Sequence, residues 1–253
     1  MKGIFAVAAG FVASLLFVSV SSAAEPGTPS KPSAAYKSVG SFHGGSAKPY
    51  TIISGVRFGK QEDGRAMRMV LDFDEWDGTP AGARRPAAAH PVYTVELLPY
   101  PYRLVIRMRD TMFDTHAKVM SSPALPFSVV AEDNGMVKEM QVFLAGPSEF
   151  KVIEVDDPAK LSIDVRLIRG ASAPTIYTVQ LTDPKTPAEA FALVEQGNFP
   201  EGFTPNVLVV GNLVIVEAVF TDTRDAVKMD ASLRSMGYSS VINERPGNEL
   251  PQP

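Results

Sequence analysis

The 253-residue sequence contains no cysteine. That excludes disulfides, thiolate metal sites, a cysteine nucleophile and a lipidated N-terminal cysteine. Histidine is scarce too. His43, His90 and His116 are the three, and no two of them fall at a metal-ligand spacing, so each reads as an ordinary loop histidine. A basic excess is also missing. The net charge is −4, whereas nucleic-acid binders carry a positive footprint, so no nucleic-acid partner is expected. No G-x-S-x-G, P-loop or G-x-G-x-x-G string occurs. Carboxylate pairs such as Asp72/Asp74 and Asp156/Asp157 sit where carboxylates are normally solvated. Nothing in their spacing supplies the facing geometry of a glycosidase pair, roughly 5–10 Å apart. The sequence reads as non-enzymatic, with no cofactor and no metal.

What is present begins with an export signal. Lys2 precedes an almost unbroken apolar run from Ile4 to Val20, and Ser21-Ser22-Ala23-Ala24 then offers small residues where a signal peptidase cuts. Cleavage is expected after Ala24, with Ala23 as second choice. An uncleaved anchor is the alternative, because the run is close to the ~17–25 residues a membrane span needs; that would be the chain's only membrane contact. Export without cysteine fits a bacterial envelope protein, so a periplasmic location is expected. Residues 25–48, rich in Pro, Ser, Gly and Ala, read as a flexible linker.

From residue 49 to 169 the texture is all strand. "TIISGVRFG", "RAMRMVLDFD", "VYTVELL", "YRLVIRM", "FSVVAED", "MVKEMQVFLAG", "FKVIEV" and "KLSIDVRL" alternate or run apolar, with turn signals between them and no long helical period. The simplest architecture is an all-β sandwich. Within it, Tyr93–Met108 aligns without gaps on Phe150–Val165: Tyr93 with Phe150, Pro101 with Pro158, Arg103 with Lys160, Leu104 with Leu161, Ile106 with Ile163. An aromatic-led strand, a proline turn and a basic-led strand occur twice, which points to duplication. "MRMVLDF" and "EMQVFLA" stand upstream of the two copies as candidate partner strands.

This doubled pattern, with "ISGVRFG" before "RMVLDF" and "PYRLVIRM" repeated as "PAKLSIDV", resembles the AMIN domain, a small periplasmic β-sandwich of two similar halves. The family's Pro-x-Arg-Leu-Val-Ile-Asp string ends in Arg107 in the first copy and keeps its acid, Asp164, in the second. The stretch from Asp77 to Pro91 is longer than the family pattern. The resemblance brings no catalytic residue. Amidases with such domains add a zinc-binding catalytic domain, for which this chain has no room. Arg103, Arg107 and Lys160 are the expected exposed contacts on the sandwich surface.

After "RGASAPT" the period changes. Tyr177–Leu181 reads as a strand. Thr186-Pro187-Ala188-Glu189 reads as an N-cap, a first-turn proline and a glutamate at the third helical position. "NVLVV" and "LVIVEAVF" flank the hairpin signal Gly211-Asn212. Asp222 or Thr223 caps a second helix with Ala226, Met229, Leu233 and Met236 at helical spacing, and "YSSVIN" is a last strand. The order β-α-β-β-α-β over 175–246 gives an α+β domain whose sheet carries both helices on one face and leaves the other free. Residues 247–253 read as a disordered tail.

This order, with "YTVQL" and "VEAVFTDTRDAVKMDASLRSMGYSSVIN", resembles the SPOR domain, a peptidoglycan-binding module of bacterial envelopes. The resemblance implies glycan contact at Gln180, whose amide offers both donors and an acceptor to sugar hydroxyls. Thr178 and Thr182 share its face by alternation, and Asn212 occupies a further position of the family's pattern. The chain departs from that pattern at Thr182-Asp183-Pro184, where Gly-Ser-Phe is common, and at Asn212 and Val214, where an aromatic and an arginine are common. From residue 175 on, Lys185, Arg224, Lys228, Arg234 and Arg245 are the basic residues, against twice as many acids. That field is unfavourable to an anionic glycan. The expected function is non-catalytic peptidoglycan binding that positions the protein at the wall or division site. The alternative is an accessory protein of a secretin, pilus or division complex, using the same domains for protein contacts.

Overall fold

Alternation of apolar and polar residues builds most of the protein. A computed structural model describes residues 35–46, 50–61, 66–76, 83–119, 125–131 and 135–251. The expected signal at 1–24, linker residues 25–34 and turn residues Asp63, Gly64 and Asn134 lie outside the described residues. In chain order the strands are β1 (Ser41–Gly44), β2 (Thr51–Gln61), β3 (Ala66–Glu75), β4 (Arg85–Pro86), β5 (Tyr93–Leu98), β6 (Arg103–Met108), β7 (Thr111–Val119), β8 (Phe127–Ala131), β9 (Val137–Phe143), β10 (Ser148–Val155) and β11 (Lys160–Leu167). There follow β12 (Thr175–Leu181), α1 (Pro187–Gln196), β13 (Asn206–Val210), β14 (Leu213–Phe220), α2 (Thr223–Ser235) and β15 (Ser240–Pro246). Over the described residues the fold is β-rich, with three mainly antiparallel sheets and two helices.

The first sheet runs β1-β5-β6-β9-β8 and the second β10-β11-β3-β2-β7, with β4 beside β3. They share one apolar core. Val95, Leu104, Ile106 and Met140 come from the first sheet, and Ile53, Leu71, Phe150 and Ile163 from the second. Burial of each such side chain contributes about 1.5–3 kcal/mol.

The repeat seen in the sequence is a repeat in space. Tyr93 pairs with Met108 and Val95 with Ile106. Phe150 pairs with Val165 and Val152 with Ile163. The two hairpins therefore share one register. Their partner strands are exchanged. β6 of the first copy pairs with β9, Ile106 opposite Met140, while β11 of the second copy pairs with β3, Ile163 opposite Met69. Each sheet takes its hairpin from one half of the chain and its neighbouring strand from the other.

On the outer face of the second sheet, Asp164 has a side chain only 1% exposed. Arg68 grips it with two hydrogen bonds, at 2.5 and 2.7 Å, and Lys151 lies 3.3 Å away. Burial alone would raise its pKa. Arg68 and Lys151 outweigh that and hold the carboxyl below its usual range. A depressed folded pKa stabilises the fold above the unfolded value, about 3.9, and that contribution is lost as pH falls through the folded pKa. Urea midpoints measured from pH 7 downward should therefore fall more steeply below about pH 4 in the wild type than in Asp164→Asn. Parallel acid limbs would show that this ion pair carries no such linkage.

The third sheet runs β13-β14-β12-β15. Thr186 caps α1 through a reciprocal capping box with Glu189, Asp222 caps α2, and Gly237, at φ 91°, turns the chain out of α2. Both helices pack on one face of this sheet, where Val179, Leu181, Val207, Val216 and Ala218 meet Ala190, Ala226, Met229 and Leu233.

Two expected flexible segments are ordered in part. Within the expected linker, β1 pairs with β5, Phe42 is buried, and Lys37 exchanges backbone hydrogen bonds with Phe150 at the free edge of β10. Phe42, edge-on to Phe150, and Tyr36, whose ring lies under Lys151 and Arg166, anchor that segment. Within the expected tail, Asn248 donates to the Ala145 carbonyl at 3.1 Å, and Leu250 packs with Phe143, Leu208 and Ile215.

Candidate functional site

The face of the third sheet turned away from the helices is the expected ligand surface. By alternation it carries Ile176, Thr178 and Gln180 on β12, Ile215, Glu217 and Val219 on β14, Asn206 and Leu208 on β13, and Val241, Asn243 and Arg245 on β15. The expectation that this face is free is overturned over most of it. Ile176, Leu208, Ile215, Thr178 and Glu217 are buried, and Leu208 and Ile215 form one cluster with Phe143 of β9.

A polar seam closes the contact. Gln141 is fully buried. Its Nε2 donates to the Val207 carbonyl at 2.8 Å, and its Oε1 accepts from the Val209 amide at 3.0 Å. Nε2 also donates to Glu139 at 2.5 Å. Arg103 is buried beside this seam. Its Nη2 donates to Asn206 Oδ1 at 3.2 Å and its Nη1 to the Pro101 carbonyl at 3.4 Å. Its Nε has no hydrogen-bond partner among the described residues. Burial lowers the guanidinium pKa to about 10, against the pull of Glu139 and Glu217, so the group stays charged at neutral pH. Under the same face Arg245 forks onto Glu217, at 2.6 and 2.9 Å, and donates to the Thr178 hydroxyl at 3.2 Å.

The residues singled out in the sequence are thus scattered. Thr178 is sealed from any ligand, its hydroxyl already engaged by Arg245. Arg103 is no surface contact, because β6 turns it toward β13. Arg107 is half exposed and lies 3.4 Å from both Glu96 and Glu139. Lys160 is partly exposed, 3.7 Å from Asp72 on another strand of its own sheet. Asn212 is exposed in the β13–β14 turn, away from Glu217, the residue opposite Gln180 on β14. Thr182 is exposed and donates to the Ser239 carbonyl at 3.4 Å.

Gln180 remains accessible. It lies half-buried on the open end of the face, and its Oε1 accepts from Nδ2 of the exposed Asn243 at 2.7 Å. Two side-chain amides thus stand side by side on adjacent strands, flanked by half-exposed Val219 and by Val241, 40% exposed. The Gln180 Nε2 donors and the Asn243 Oδ1 acceptor lie outside their mutual bond and have no other partner among the described residues. In the sequence Asn243 is one polar residue in "YSSVIN", and the register that sets it beside Gln180 is not readable there. The Glu217–Arg245 pair does leave a signal, a lone charge inside the apolar string "LVIVEAVF". Comparison with known proteins finds no family model, curated protein or solved structure that matches the chain.

Proposed function

We propose that this is a non-catalytic, exported envelope protein of the bacterial periplasm, in which an AMIN-like β-sandwich and a SPOR-like βαββαβ domain act as one binding body for peptidoglycan glycan strands. The observation that carries the reading is the Gln180–Asn243 amide pair at the open end of a sheet face otherwise closed against the sandwich. Paired amides beside small apolar side chains match the alternating hydroxyls and C–H patches of a sugar chain. The ligand strip is short, so affinity is modest.

The full chain is the proper test material, since an isolated C-terminal fragment would expose Leu208 and Ile215. Sedimentation of the full chain with purified sacculi should fall about 3- to 10-fold for Gln180→Ala and for Asn243→Ala, the loss expected of one or two hydrogen bonds at ~0.5–1.5 kcal/mol each. Binding kept intact by the double variant would remove the glycan reading. A second reading is then favoured by the acidic balance of the C-terminal unit and the occupied sheet face: an accessory subunit that contacts other envelope proteins.

A further inference from the structure

We infer that the exposed edge of β15 is a self-association surface, and that its occupant is β15 of a second copy of this chain, added antiparallel across a two-fold axis at Asn243. This rests on the backbone of the edge and holds whether or not the glycan reading does.

Sheet edges present unpaired N–H and C=O groups and invite strand addition unless blocked. Several edges of this protein are blocked. Lys37 covers β10, Gln141 occupies β13, and Met136 bridges β7 at Met112. Among the described residues, none pairs with the middle of β15 on its outer side. Its odd-numbered residues face β12: the Thr182 amide bonds to the Ser239 carbonyl and the Gly247 amide to the Pro174 carbonyl, and the register runs continuously between these points. In an antiparallel ladder the alternate residues point outward. Those are Ser240, Ile242, Glu244 and Pro246.

The two ends of this row are closed. The Ser240 carbonyl already accepts from Arg234 Nη2 at 2.6 Å. Pro246 has no N–H, and its carbonyl accepts from the Glu249 amide at 3.0 Å. Between them stand the N–H and C=O of Ile242 and of Glu244. In a pair centred on Asn243, Ile242 faces Glu244 of the second copy and Glu244 faces its Ile242, so every one of these groups is satisfied reciprocally. The same register sets Ser240 against Pro246, where a missing donor meets an occupied acceptor. The edge is its own complement, as a two-fold interface requires.

The side chains agree. Val241 and Ile242 are 40% and 36% exposed, one on each face of the strand, and Val227 is 54% exposed. Val227 lies on the same side of α2 as Asp230 and Arg234, three and seven residues on. Those two reach β15 at Ser240. A second strand would cover this apolar strip. Glu244, the one exposed charge between the stops, would lay its stem over Ile242 of the second copy with its carboxylate toward that copy's Arg234.

Light scattering of the full chain, as concentration is raised to about 100 µM, the regime of a small interface, should show a dimer. Ile242→Pro deletes an outward donor and breaks no bond to β12, and Ile242→Lys places a charge on the edge. Both should give monomers with unchanged circular dichroism. Because the chain has no cysteine, Asn243→Cys provides a second readout. Opposed residues at a non-hydrogen-bonded position lie about 4.5 Å apart between Cα atoms, within disulfide reach. Under a mild oxidant this variant should cross-link to a dimer many times faster than Glu201→Cys in an exposed turn. A wild type that stays monomeric, a dimer untouched by Ile242→Pro, or equal cross-linking of the two cysteine variants would each overturn the proposal.

Discussion

Arg245→Ala should lower stability by about 3–5 kcal/mol, the cost of leaving one charge of a buried pair without its partner. Glu217 has no exposed side-chain surface and Arg245 has 8%. Both oxygens of Glu217 accept from this one guanidinium, which also donates to Thr178 and, through Nε, to the Glu249 carbonyl at 3.0 Å. Arg245→Ala would strand the Glu217 carboxylate, the Thr178 hydroxyl and the Glu249 carbonyl together. Arg245→Lys should fall between wild type and alanine, because an ammonium cannot fork across two carboxylate oxygens. The double change Glu217→Leu with Arg245→Met should recover most of the loss, since apolar replacements of similar volume remove both desolvation costs at once. Urea unfolding of the four proteins reads these differences directly. A loss below about 1 kcal/mol for Arg245→Ala, the size typical of an exposed ion pair, would mean that water reaches Glu217 and that the sheet face is not sealed.

That sealed face marks where the sequence is and is not legible. The helices are readable because their signals are local: a capping box at Thr186, a cap at Asp222, and Gly197 and Gly237 after their ends. The β5–β6 and β10–β11 hairpins are readable because the aromatic-proline-basic pattern repeats without a gap. The exchange of partner strands is not readable. "MRMVLDF" and "EMQVFLA" carry the same alternation, and a period states which face a residue takes, not which neighbour the strand finds. Sequence-adjacent pairing is the usual outcome, and here β3 and β9 cross over instead. The short strand β1 and the long strand β7 escape a reading by period because "SFHG" and "TMFDTHAKV" lack a clean alternation.

The expectation of a free sheet face had a signal against it. "NVLVV" and most of "LVIVEAVF" do not alternate, and a continuous apolar run belongs to a strand covered on both faces. β12, whose "YTVQL" does alternate, shows the wanted pattern toward Gln180, and that end is the part that remains open. Pro, Ser, Gly and Ala over residues 25–48, and Gly, Asn and Pro over 247–253, argue for flexible chain by composition. Composition does not register one well-placed Phe42 or Leu250. The site therefore divides along a physical line. Features set by local chemistry are visible in the sequence, and those that depend on one sheet packing against another are not.

The junction itself yields the last expected result. Gln141 acts on β13 as an added strand residue would, its amide giving one donor and one acceptor to the outward groups of Val207 and Val209. Gln141→Leu keeps much of the volume and removes both partners. A buried polar group left unsatisfied costs about 1–3 kcal/mol, and here a backbone carbonyl, a backbone amide and the Glu139 carboxylate all lose their bond. Losses in one network do not add simply, so about 2–5 kcal/mol is expected. It should fall on the contact between the third sheet and the other two, not on their separate cores, because Met140 and Val142, the neighbours of Gln141, face the other way into the first core. Hydrogen exchange at the Val209 amide should accelerate strongly while Ile106 and Ile163 stay protected, and protease should gain access to residues 169–174. Gln141→Glu should be worse than leucine, since it keeps an acceptor for Val209 but sets a second carboxylate against Glu139. Uniform acceleration across all three sheets would instead mean that the protein unfolds as one cooperative unit with no separable contact at β13.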